Sequence, residues 1–133
     1  MVEAALALPL LLVVTFAIIE FSWGLFTHLA LQNGVSEAAR YGITGASMPG
    51  LTRTESIRAA MRSATPTLTI NDADFQFSHL VGNNWVAGVG APGEIEKVTV
   101  THVHEVLVFR PLFSGGRLTM KAESAMKNEG RFN

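Results

Sequence analysis

Residues 4–19 carry no charged side chain, and a single carboxylate, Glu20, separates that run from the next formal charge at Glu37. Apolar surface of this extent is unfavourable in water unless something covers it. A membrane crossing needs roughly 20 apolar residues, about 30 Å of helix. Residues 4–30 suffice, with Glu20 as the anomaly. The composition from residue 2 to 44 is helical, rich in Ala, Leu, Val, Ile and Phe. A helix of ~43 residues is a rod of roughly 65 Å, longer than a bilayer core, so part of it must project. A cleaved signal peptide fits poorly. No Lys or Arg precedes the run, Glu3 sits at its start, and the run passes into a longer amphipathic helix.

Within this rod Pro9 removes one backbone hydrogen bond, which predicts a kink or local stretch near residues 5–9. Gly24 and Gly34 are weak points, and also places where another helix could come close. Farther along, Leu31, Val35, Ala38, Ala39 and Tyr41 make one apolar side, so this half should lie on a soluble head. Gly42 and Gly45 are candidate terminators, and Met48-Pro49-Gly50 is a turn. A second helix is predicted from Thr52, whose spacing to Glu55 matches a capping box. Leu51, Ile57, Ala60 and Met61 form its apolar face, Arg53, Arg58 and Arg62 lie outside it, and Pro66 stops it.

From Thr67 the period changes to two. Leu68, Ile70, Phe75 and Phe77 read as strand, and residues 79–93 as a loop with a short strand at Trp85-Val86. Residues 94–109 are the strongest strand, and Pro111 breaks it. Leu112 to Gly116 turn the chain into a last strand at residues 117–126, followed by a polar tail. The expected fold class is α+β: a long N-terminal helix packed on a small antiparallel sheet with one additional helix. The expected division is residues 1–46 for the long helix and 47–133 for the head.

The bulk numbers narrow the function. At 133 residues, 48% hydrophobic and 16% charged, the chain is apolar for its size, with a mean hydropathy of +0.29. A net charge of −1 gives no basic stripe for nucleic acid. Without cysteine there are no disulfides, thiol chemistry or Cys-ligated metal. His102 and His104, two apart on a strand, share a sheet face but lack further ligands, and read as solvent-face histidines. The Trp85 loop reads either as a contact hot spot or as a core plug. Gly88-Val89-Gly90 is followed by no helix and no Lys-Ser/Thr, so it is not a phosphate loop. Ser36, Ser63 and Ser124 lack a nucleophile-elbow context. No enzyme and no cofactor are expected.

Val2 to Leu11, reading VEAALALPLL, resembles the start of the TadE-like family of minor pilins and pseudopilins from tight-adherence, Flp-type pilus systems. Ile18-Ile19-Glu20-Phe21 resembles its second element, and Leu31-Gln32-Asn33 with Glu37-Ala38-Ala39-Arg40-Tyr41 its third. Ala125-Met126-Lys127-Asn128-Glu129 resembles the family ending, with Gly130 where a proline often stands. The resemblance implies a prepilin cut by a prepilin peptidase, held in the bacterial inner membrane, then passed by an assembly platform into a periplasmic or extracellular filament. Its partners would be copies of itself and other pilins. Glu3 would be the pilin-type glutamate, pairing with the α-amino group of the neighbouring subunit to set register. That glutamate usually lies fifth after the cut and here is third. With no leader or cleavage glycine, the expectation is a mature or truncated chain, or different processing.

A carboxylate near mid-membrane costs about 2.5–3.5 kcal/mol, less near the interface. A plain interfacial acid at a helix N-terminus is therefore the other reading of Glu3. Glu20, Gly24 and His28 fall on one helix face and form a polar line. Either they pair with a staggered neighbour, or the membrane boundary falls near Glu20 and Glu20 and His28 are both wet. Glu3, Pro9, Glu20, Gly24 and His28 are the candidate assembly residues. A second function class stays open: a bitopic membrane protein whose head binds a ligand or partner and never polymerises.

Overall fold

A computed structural model describes residues 2–110 and 114–129 of the chain. Expectations that fall on Pro111, Leu112, Phe113 and the tail beyond Glu129 lie outside those residues. Helix α1 spans Val2–Ile43 without interruption, Pro9 included. Its first half touches little of the head, and Leu6, Leu10 and Phe21 are 73%, 67% and 73% exposed. It is long and apolar enough to cross a membrane. Its distal half changes character as the spacing predicts: Leu31, Val35, Ala38 and Ala39 are buried. At its end Thr44 and Gly45 donate backbone bonds to Tyr41 and Gly42. Gly45 has a φ of +67°, the left-handed conformation of a helix stop. Gly42 stays inside the helix, where a Cβ would come 3.3 Å from Ile57 Cδ1.

Helix α2, Arg53–Ala64, starts on the expected capping box. The Thr52 hydroxyl accepts from Glu55 N, while Glu55 Oε2 accepts from Thr52 N at 2.7 Å. Ile57, Ala60 and Met61 enter the core; Leu51, expected with them, is 41% exposed. Thr67 to Ile70 are not a strand. The alternation there comes from loop side chains: Ile70 is buried and Leu68 packs on the core. Ile70's carbonyl accepts from Arg62 Nε at 3.1 Å instead of entering a ladder.

Among the described residues four antiparallel strands follow, in spatial order β2-β1-β3-β4. They are β1 Phe75–Val81, β2 Asn84–Ala87, β3 Ile95–Glu105 and β4 Arg117–Lys127. His79 to Val81, expected in a loop, extend β1, because Gly82 at φ +62° allows a two-residue hairpin closed by Val81 and Asn84. Trp85 is therefore on a strand, half-exposed on the outer sheet face, with Lys97 Nζ 4.2 Å from its ring centre. β3 stops at Glu105, short of the expected Phe109, because the next amides bond elsewhere.

The register fixes the faces. Phe75, Val100 and Ala122 lie abreast, as do Phe77, Val98 and Ser124. Together with Met120 they face the helices, and the core lies between this face, the distal half of α1, and α2.

Candidate functional site

The same register puts Glu96, Val98, Val100, His102 and His104 on the inner face. His104 is 6% exposed, and His102 is half-buried. The histidines therefore do not line a solvent face. Their even-numbered parity with Val98 and Val100 carried that information in the sequence. Burial holds the His102 imidazole below the usual histidine range, the neighbouring His104 adds to this, and Asp74 opposes it. Among the described residues no group of three or more His, Asp or Glu side chains could hold a metal ion.

His104 closes one wall of a cleft of about 500 Å³ between α1 and the open end of the sheet. Glu20, Gly24 and His28 line the α1 wall, as their spacing predicts, with Phe21 and Leu25; His104, Val106, Phe109 and Met120 line the other. The close approach at Gly24 is helix to sheet: a Cβ there would lie 3.8 Å from Met120 Cε and 4.0 Å from His104 Nε2. That ring nitrogen is buried without a hydrogen-bond partner. The cleft is apolar, with a few polar groups at its edges, which suits a packing surface more than a small-molecule site.

Glu20 is engaged within the chain. Leu107 N donates to its Oε1 at 3.0 Å and Val108 N to its Oε2 at 2.9 Å. These amides leave the β3 ladder to bind the carboxylate, while Val106 N donates to Gly116 O at 2.8 Å. The spacing of Glu20 gave no hint of this partner, since 87 residues separate it from Leu107. Glu3 and Pro9 are not part of this cluster. Both are exposed, and Glu3 lies ~26 Å along the helix from Glu20.

A second cluster was not expected from the sequence. Arg53, thought to lie outside the α2 core face, reaches inward to Glu96 Oε2 at 2.7 Å, and Glu96 is 4% exposed. The same guanidinium donates to Gly42 O and Gly90 O, both at 2.9 Å. Asn128 Nδ2 donates to Gly90 O and Ala91 O, both at 3.1 Å, and Glu129 N donates to Ile43 O at 3.0 Å. This clasp joins the end of α1, the start of α2, the loop before β3 and the chain after β4. The signal was an acid among alternating valines, since Glu96 shares parity with Val98 and Val100.

Residues 1–40 match the family model described as TadE-like protein. None of the curated proteins and none of the solved structures matches the chain. The matched segment covers most of α1, including Glu3, Pro9, Glu20, Gly24 and His28, and stops before α2.

Proposed function

We propose that this chain, with its TadE-like N-terminal segment as the premise, is a structural subunit of a tight-adherence pilus or pseudopilus. α1 holds it in the bacterial inner membrane before assembly and forms the filament core afterwards. The observation that carries the reading is the two-part helix. Its first half is an uncovered apolar rod and its second half is buried in the head. Helices that pack in lipid or in a bundle rely on close fit and small residues. Ala4 and Ala7 supply such positions in the uncovered half. Glu3 pairs with the α-amino group of a neighbouring subunit, and the exposed Pro9 sits where the bundle tightens. The partners are copies of the chain, other pilins, a prepilin peptidase and an assembly platform. The reading assigns no catalytic activity.

The test is incorporation. Sheared surface material from cells producing the chain should contain it in fibres under negative stain, and Glu3→Ala should remove it from them while leaving its membrane level intact. Incorporation at the normal level by the variant would overturn the role of Glu3. The chain recovered only as detergent-soluble monomers or dimers would favour the second reading, a bitopic protein whose head takes a partner. The cleft beside His104 is the observation that supports that alternative.

A further inference from the structure

Leu107 and Val108 are 73% and 47% exposed, although each is large and apolar. They come just after β3, and their amides tie this stretch to α1 at Glu20. With Phe16, Ile19, Trp23 and Phe26 they line one continuous apolar groove. We propose that Leu107 and Val108 are a second membrane-contacting element, resting in the interfacial layer of the bilayer beside α1 at a depth set by Glu20.

The inference rests on α1 spanning the membrane, and four observations then point to lipid. First, the level fits: from Ala4 to Glu20 the helix rises ~24 Å, the short end of the roughly 17–25 residues that cross a hydrocarbon core. Second, Trp23 is 59% exposed one turn beyond Glu20, and its ring lies 6.0 Å from that of Phe26. Indoles concentrate at the membrane–water interface. Third, the exposed Arg110 follows the loop, and a guanidinium there suits phosphate headgroups. Fourth, the polar groups satisfy one another. Both Glu20 oxygens accept a backbone amide, and the amides of Leu107 and Val108, which have left the sheet, find an acceptor. Unpaired amides and an unpaired carboxylate are both costly beside hydrocarbon. Their mutual bonding lets the loop approach the bilayer without exposing either.

The chain contains no cysteine, so single nitroxide labels can be placed without background. Full-length Leu107→Cys, Leu10→Cys and Val81→Cys would be labelled and reconstituted into phosphatidylcholine/phosphatidylglycerol vesicles. Collisions with oxygen, which favours lipid, and with a water-soluble nickel complex then report depth. The Leu10 label should be deep in the bilayer, the Val81 label, on the far hairpin, in water, and the Leu107 label at interfacial depth. Glu20→Ala should shift the Leu107 label toward water; an unchanged depth would refute the role of Glu20. A Leu107 label as open to nickel as that at Val81, with Leu10 still buried, would overturn the inference alone. A water-exposed Leu10 label would overturn the spanning reading, and the inference with it. Spin–spin broadening at Leu107, relieved by mixing in unlabelled chain, would show a second copy covering the loop and overturn the assignment to lipid.

Discussion

Glu96 sits where strand alternation calls for an apolar side chain, and it is retained there through Arg53. A buried ion pair is weak evidence for net stability, but removing one partner strands the other's charge and typically costs about 3–5 kcal/mol. Arg53 keeps its bonds to Gly42 O and Gly90 O and is 20% exposed, so Glu96→Ala should fall at the low end, about 3 kcal/mol. Thermal melts of the detergent-solubilised chain would register this, and a variant that melts with the parent would mean that the clasp contributes no net stability. His102 gives a prediction in pH. Its folded value is depressed, so the unfolded chain takes up the proton first. Its contribution is intact above the ordinary histidine value of about 6.5 and is lost as pH falls from there through the lowered folded value. His102→Gln should therefore flatten the stability profile on the acid side of about pH 6.5. Urea midpoints for both chains at a series of pH values would check it, and parallel profiles would count against the assignment.

Helices α1 and α2 cross where Gly34 leaves no side chain. A Cβ there would stand 2.4 Å from Thr65 Cγ2 and 3.3 Å from Met61 Cγ. Thr65 cannot readily turn away, because its hydroxyl donates to Met61 O at 2.9 Å and the residue is buried. Gly34→Ala should thus cost about 1–3 kcal/mol as overpacking. Gly24→Ala, with its nearest contact at 3.8 Å, should not lower the melt, since there is room for the methyl and a helix-interior glycine costs about 0.5–1 kcal/mol relative to alanine. A Gly24→Ala chain that melts normally but is lost from fibres would locate the effect between subunits. Equal melts for the two variants would show that the crossing is looser than its distances imply. The elements themselves were largely legible: the capping box, the α1 amphipathic half and the β4 alternation all follow local rules. Two of the misses share one cause. The Ile70 carbonyl and the amides of Leu107 and Val108 bond to side chains outside the sheet, Arg62 and Glu20, and a period-two pattern does not distinguish a ladder from such a contact.

At the scale of the molecule the chain divides by burial, with the core starting near Thr27 and Leu31. The sequence located that division through its change from all-round apolar to amphipathic character. The candidate site was only half legible, because Glu20, Gly24 and His28 share a face by spacing alone, while the opposing wall depends on tertiary placement. The division predicts that a chain starting at residue 26 keeps the head. Everything before Thr27 contributes no buried core side chain among the described residues, whereas Leu31, Val35, Ala38 and Ala39 remain to cover the sheet. Its melting temperature should match the intact chain in detergent within a few degrees, since no clasp or core residue is removed. One local change should accompany the truncation. Leu107 and Val108 lose the carboxylate that binds their amides, while Val106 keeps its bond to Gly116. Hydrogen exchange should accelerate at residues 107 and 108, stay slow at 106, and be unchanged through β3. Acceleration spreading into Val98 and Val100 would show that the proximal helix supports the whole sheet, and the two halves would then have to be treated as one folding unit.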